Sequence, residues 1–237
     1  MQPPGDDRTV ANQTTPADTS EMSDDRIEFF FDPLCPWAWI TSRLVHEVSD
    51  QTGMAVTWRL ISLALLNESA EAAEPTTKMA QLHRSGFAML RVAAAVARDH
   101  DNEAVGRLYT ELGTRLHTER GSKALWDGGT PDQFIVEAIE AAGLPAALAE
   151  AATDESLDTV LRSETDDALS RTGDDVGTPI ITFDLDDVAG TTYFGPVINR
   201  IPRGEEALAI WSAVRTLALT PGVAEIKRTN RGTPEFD

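Results

Sequence analysis

Residues 27–45, IEFFFDPLCPWAWITSRLV, decide the fold of this chain, because they join a buried strand directly to a helix. The run at 27–31 is apolar and rich in β-favouring residues, and it stops at an Asp-Pro pair, as a strand that ends in a turn does. Cys35 then stands where a helix cap belongs, and Pro36 suits the first helical position. The stretch predicts a strand, a short turn and a helix that begins at the cysteine.

A second strand follows this helix. Apolar residues continue at helical spacing as far as Gly53, and residues 54–61, MAVTWRLI, have the composition of another strand. Strand, helix and strand in this order form a β-α-β unit, which favours a parallel strand pair with a right-handed crossover.

The rest of the chain changes character twice. Residues 74–173 are rich in Ala, Glu, Leu and Arg with helical periodicity, and four breaks, at 100–102, 121–130, 143–145 and 153–154, predict four or five helices. Strand signals return at 178–184 and 190–195 as a hairpin, and an amphipathic helix follows at 202–219. This order predicts an α/β thioredoxin fold, with a four-stranded mixed sheet and a large all-helical insertion. The predicted divisions are a disordered tail (1–25), the first half of the thioredoxin domain (26–66), the helical insertion (67–173), the second half (174–217) and a C-terminal tail (218–237).

Composition narrows the classes of function. The 39 acidic residues outnumber 20 basic ones, and the net charge of −19 disfavours binding to nucleic acid or to an anionic membrane. Residues 1–25 lack the basic and apolar segments of a signal peptide, and no later run is long enough for a membrane helix. We therefore expect a cytoplasmic protein.

Cys35 is the lone cysteine, so any disulfide that it forms is intermolecular. At a helix cap, its sulfur lies near unpaired backbone N–H groups and the positive end of the helix dipole, which stabilise a thiolate. We expect its pKa to lie below the ordinary value of about 8.5, which suits attack on disulfides. The alternative is an inert cysteine that serves as a small buried residue.

The segment FFFDPLCPWAWITSR, at 29–43, resembles the active-site segment of DsbA-like thioredoxin-fold oxidoreductases, and it is especially similar to that of actinobacterial mycothiol-dependent nitroreductases. The family's usual motif is Cys-Pro-Trp-Cys, whereas Ala38 stands here in place of the second cysteine. Without that resolving thiol, a mixed disulfide on Cys35 has to wait for an external thiol. Further similar segments are LALLNES (63–69), RLHTERG (115–121), DVGTPII (175–181), YFGPV (193–197) and IPRGEEA (201–207).

The resemblance also implies a site. It makes Cys35 the catalytic residue and implies a cis peptide bond before Pro179, beside the sulfur. It implies mycothiol or a similar low-molecular-weight thiol as cosubstrate, a small electrophile as substrate, a mycoredoxin- or glutaredoxin-like reductase as partner, and no tightly bound cofactor. The residues that it assigns to thiol or substrate binding are Pro36, Trp37, Asn67, His117, Thr178 and Pro179.

Several of these residues also have ordinary structural explanations. A tryptophan in a first helical turn often only packs, and isolated residues such as Asn67 and His117 are often caps or surface groups. No metal site is expected, because the four histidines lack paired zinc-ligand spacing and one cysteine does not complete a site.

Three hypotheses of function follow. The first is a monothiol oxidoreductase in which Cys35 exchanges with a low-molecular-weight thiol or delivers electrons to small electrophiles such as nitro compounds. The second is a transferase or isomerase similar to the kappa-class glutathione transferases, in which Cys35 positions a bound thiol cofactor. The third is a non-enzymatic scaffold that binds a partner or a ligand through the former active-site cleft.

Overall fold

A computed structural model describes residues 26–237, so the predicted disordered tail at 1–25 lies outside the described residues. Four strands form one sheet in the order β2-β1-β3-β4. The first two strands are parallel, and the other two neighbouring pairs are antiparallel. This is the strand order of a thioredoxin fold, which confirms the predicted fold class. The strands are β1 (Arg26–Phe31), β2 (Ala55–Leu60), β3 (Ile180–Thr182) and β4 (Thr192–Phe194).

Both faces of the sheet are covered, which explains the unbroken apolar run of β1. Phe29 and Phe31 lie in the main core, whereas Phe30 lies in a smaller cluster on the other face with Ile61 and Ile180. Successive side chains of a strand point to opposite faces, so the sequence of a strand that is buried on both faces is apolar throughout and does not alternate between apolar and polar residues.

Helix α1 (Pro36–Thr52) starts and stops where the sequence predicts. Cys35 is the N-cap, and Pro36 occupies the start of the first turn. Gly53 ends the helix at φ 80°, and its N–H donates to Ser49 O. This left-handed conformation is one that glycine adopts without the steric cost that a Cβ imposes.

The structure describes all of residues 74–173, and this predicted helical block contains five α-helices. Three predicted breaks coincide with helix ends, but the fourth, 121–130, contains a short helix that the sequence did not predict. Two further short helices precede the block. In chain order the helices are α2 (Leu63–Leu66), α3 (Glu68–Ala73), α4 (Lys78–Asp99), α5 (Asn102–Gly113), α6 (Ser122–Trp126), α7 (Asp132–Ala141) and α8 (Asp158–Thr172), with a π-helical turn at Thr114–Thr118 and 3₁₀ turns at Ala146–Thr153 and Glu155–Leu157.

The predicted hairpin is present as β3 and β4, but each strand is shorter than expected and a one-turn helix, α9 (Val188–Thr191), joins them. Asp187 caps this turn by accepting a hydrogen bond from the N–H of Gly190. The residues of the turn therefore do not pair in the sheet. Helix α10 (Gly204–Ala218) closes the fold where the sequence predicts it. The domain boundaries stay a prediction. No helix within residues 26–237 has the length and apolarity to cross a membrane.

Candidate active site

Cys35 lies at the end of the turn that links β1 to α1, and its side chain is only 5% exposed. Its sulfur accepts the backbone N–H of Ala38 at 3.5 Å, as a capping side chain does. On its other side the thiol donates to the backbone carbonyl of Thr178 at 3.3 Å. The sulfur therefore sits between a helix N-terminus and the loop that leads into β3.

That loop carries the second element of the site. The Thr178–Pro179 peptide bond is cis, the geometry that the family resemblance implies, and both residues are buried. The Thr178 hydroxyl donates to Phe30 O at 3.1 Å, which ties the loop to β1. A second cis bond, Gly195–Pro196, lies in the loop after β4, where Pro196 O accepts from the Thr41 hydroxyl of α1 at 2.7 Å.

The expectation of a lowered Cys35 pKa is wrong for this structure. Burial raises the pKa of the thiol to about 12, because a charged sulfur loses its hydration there. The N–H groups at the helix start act in the predicted direction, but their effect on the pKa is smaller than that of burial, and the nearby Asp32 carboxylate opposes it. The sequence shows that the cap is present; it does not show how much protein covers the cap.

Asp32 lies beside Cys35, although its sequence pattern indicates only a turn. It is fully buried, and its two carboxylate oxygens accept the backbone N–H groups of Leu34 at 2.9 Å and Leu63 at 2.8 Å. Burial raises its pKa to about 6 in spite of these hydrogen bonds and of the nearby His83. The carboxylate thus joins the Cys35 turn to the start of α2. An acidic residue between apolar neighbours at a strand end was the available signal.

His117 lies in the π-helical turn after α5 and is 3% exposed. Its Nε2 lies 2.8 Å from Pro33 O, and because a carbonyl only accepts, this nitrogen carries the proton. Burial lowers its pKa to about 4, so the ring is neutral at pH 7. In this structure its N–H therefore donates to Pro33 O in the Cys35 turn and is not available to a substrate.

The remaining predicted site residues differ in how they are placed. Pro36 and Trp37 are partly buried in the first turn of α1, and the tryptophan packs against the main core. Asn67 is exposed, and its amide donates to Leu63 O at 2.8 Å, where it ends α2. The structure thus brings Cys35, Thr178, Pro179 and the His117 ring together, while the side chain of Asn67 is used in a local cap. Within residues 26–237 no cluster of three or more His, Cys, Asp or Glu side chains has the arrangement of a metal site.

The chemistry that this arrangement supports is that of a thiol. The Ala38 N–H is positioned to stabilise a negative sulfur, whereas Thr178 O favours the protonated form. A ligand that displaces the contact with Thr178 O can pair with the loop backbone as an added strand does. The sulfur then retains its hydrogen bond from the Ala38 N–H, which stabilises the thiolate.

The chain is similar to several known proteins. The chain is 30% identical over 203 residues to the uncharacterised protein Rv2286c of Mycobacterium tuberculosis, with 85% of this chain and 81% of that protein covered. Among solved structures, a 2-hydroxychromene-2-carboxylate isomerase is 12% identical with a TM-score of 0.48, over 81% of this chain and 94% of that one. DsbL of Salmonella enterica serovar Typhimurium is 18% identical with a TM-score of 0.40, over 84% and 90%.

The fold is identified by the strand order of the sheet and not by these structural similarities. The model of the Rv2466c-like family, described as mycothiol-dependent nitroreductase Rv2466c, matches residues 34–228 and so includes Cys35 and the cis-Pro179 loop. The chain therefore belongs to the Rv2466c-like family of mycothiol-dependent nitroreductases.

Proposed function

We propose that this protein is a monothiol oxidoreductase in which Cys35 exchanges with a low-molecular-weight thiol, mycothiol or a close relative, and reduces small electrophiles such as nitro compounds. The observation that carries the proposal is the position of the Cys35 sulfur, which caps α1 and touches the cis-proline loop. The family membership supplies the thiol and the type of acceptor.

The electrons balance with two thiols. The Cys35 thiol and one mycothiol together give two electrons and two protons to a nitro group, which becomes a nitroso group and water. The two sulfurs join as a mixed disulfide. A second mycothiol attacks the mixed disulfide, releases mycothiol disulfide and restores Cys35. Ala38 has no sulfur for this last step, so the external thiol or a mycoredoxin- or glutaredoxin-like partner supplies it.

One observation favours a second function. In this structure the Cys35 thiol is buried and protonated, and it acts as a hydrogen-bond donor. A donor of this kind suits a transferase or isomerase in which Cys35 positions a bound thiol cofactor whose own sulfur does the chemistry. In that case the missing cysteine at position 38 has no effect on turnover.

A cytoplasmic location is part of the proposal, because mycothiol chemistry and a free, lone cysteine both suit a reducing compartment. Trp37, Thr178 and Pro179 are proposed to contact the thiol. His117 is proposed to hold the Cys35 turn through Pro33 O rather than to touch the substrate.

Intact-mass spectrometry distinguishes these functions. The protein is incubated with mycothiol disulfide, with Cys35→Ser as the matched control, and nitroreduction of a nitroaromatic dye is followed in parallel. The proposal expects one mycothiol adduct that is absent from the control and persists until reduced mycothiol is added. Mycothiol binding without an adduct supports the transferase. If there is neither binding nor an adduct, the scaffold hypothesis stands and the oxidoreductase proposal fails.

A further inference from the structure

The last residues of the chain were expected to form a simple extended tail, but they return to the site. Residues 224–237, here called the C-terminal strap, have no helix or strand. The strap follows the turn after α10, where the Tyr193 hydroxyl donates to Val223 O at 2.6 Å. From there it crosses from the thioredoxin sheet towards the helical insertion.

Three contacts trace its path. The Arg231 guanidinium lies 5.8 Å above the Phe194 ring of β4. The Glu235 N–H donates to Asn199 O at 2.7 Å, in the loop that follows the second cis bond. The Phe236 ring then packs against the His117 ring in a tilted arrangement, with an interplanar angle of 37° and ring centroids 5.4 Å apart.

The far end of the strap thus reaches the residue that holds the Cys35 turn. His117 bonds Pro33 O, and Phe236 is half-buried against the same core cluster that contains Cys35. The charge of Arg231 is close enough to favour the Cys35 thiolate. The strap therefore adjoins the Cys35 turn, where the cysteine is only 5% exposed.

Few contacts hold the strap to the rest of the described chain. Within residues 26–237, a single backbone hydrogen bond, from Glu235 to Asn199, joins residues 224–237 to the rest of the chain. Most of the strap is exposed, and its anchoring apolar side chain is Phe236. Segments with few buried contacts and few backbone hydrogen bonds open at the lowest free-energy cost. The match to the family model ends at residue 228, before any of the three contacts.

We propose that the C-terminal strap is a gate over Cys35, anchored by Phe236 on His117, which lifts to admit the thiol and the electrophile. The closed gate keeps Cys35 buried. The lifted gate exposes the sulfur to water while the Ala38 N–H still caps it. The gate regulates the site of the proposed function and rests on Cys35 being its reactive group.

Alkylation of Cys35 measures the gate without requiring turnover. Rates are measured with iodoacetamide and with a bulky polymer-linked maleimide at pH 7 for the full chain, for a chain that ends at Asn230, and for Phe236→Ala. Ile226→Ala is the matched control, because that side chain is an exposed apolar residue of the same strap, 74% exposed. Circular dichroism and thermal melting verify the fold of every variant.

We expect about tenfold faster alkylation after truncation and after Phe236→Ala, since the half-buried ring is the main apolar anchor. The gain is larger for the bulky maleimide, and Ile226→Ala reacts at the rate of the full chain. Unchanged rates in both anchor variants would overturn the gate. If truncation disturbs the fold, Phe236→Ala alone decides in the same way.

The two proposals fail in different ways. If Cys35 of the truncated chain alkylates quickly but forms no adduct with mycothiol disulfide, the gate stands and the oxidoreductase function fails. If the full chain and the truncated chain form the adduct equally fast, the function stands and the gate fails.

Discussion

The buried carboxylate of Asp32 leads to a prediction about stability and pH. In the unfolded chain this group has its ordinary pKa of 3.8, whereas burial in the folded protein raises the pKa to about 6. Between these two values the folded state binds more protons than the unfolded state, so this group makes stability fall as pH rises. The shift of roughly two units corresponds to about 3 kcal/mol, lost as pH rises from 4 to 7.

Substitution Asp32→Asn removes this pH dependence, because an amide has no charge to desolvate. The amide oxygen still accepts one of the two backbone N–H groups, from Leu34 or Leu63, but its NH₂ group faces the other donor. The variant thus loses one hydrogen bond at every pH, at a cost of about 1–3 kcal/mol. We expect Asp32→Asn to be clearly less stable than the parent protein at pH 4 and close to it at pH 7.

The assay is urea unfolding followed by far-ultraviolet circular dichroism at pH 4, 5, 6 and 7. The quantity of interest is the difference in unfolding free energy between variant and parent, since His46 and His117 act in the opposite direction. Burial lowers the pKa of each to about 4, so both lose stability as pH falls below 6.5, and subtraction cancels this effect. Asp174→Asn, at an exposed carboxylate, controls for the change in net charge. A difference for Asp32→Asn that stays flat from pH 4 to pH 7 would refute the reasoning.

Three further outcomes are expected. Asp32→Asn also lowers the pKa of Cys35, because it removes a negative charge near the thiolate, and the ultraviolet absorbance of the thiolate against pH measures this. Ala38→Cys permits an internal disulfide with Cys35 and speeds release of a bound thiol, and adduct lifetimes that do not change would show that another group resolves it. Gly113→Ala destabilises the protein by about 1–3 kcal/mol in thermal or urea unfolding, since its Cβ overlaps the buried Trp39 ring, and an unchanged melting temperature would contradict this.

The sequence predicted the order of elements because each is specified by local patterns. The apolar run before the Asp-Pro pair, the cysteine at the cap with Pro36 after it, and Gly53 after the last turn are all signals that act within a few residues. Strand order then followed from general rules for β-α-β units and hairpins. The helices α6 and α9 escaped prediction because each is only one or two turns long and is held by its surroundings rather than by periodicity.

The position of Cys35 in the fold could also be predicted, but its environment could not. Cys35 and the loop before Pro179 come from the family motif, and the structure places them in contact although they are 143 residues apart. Asp32 and Phe236 gave no comparable signal, because the role of each depends on a contact with a segment that is distant in sequence. Asp32 accepts a hydrogen bond from the first residue of α2, and Phe236 of the strap packs against His117.

By itself the sequence determined a thioredoxin fold with a helical insertion and a lone cysteine at the start of the first helix. Local propensity, capping and hydrophobic spacing are sufficient for that, because each acts between near neighbours. Only the tertiary structure decided the state of the sulfur, since the pKa of Cys35 depends on how completely distant segments exclude water. Burial there outweighs the helix cap, and the sequence shows the cap but not the burial.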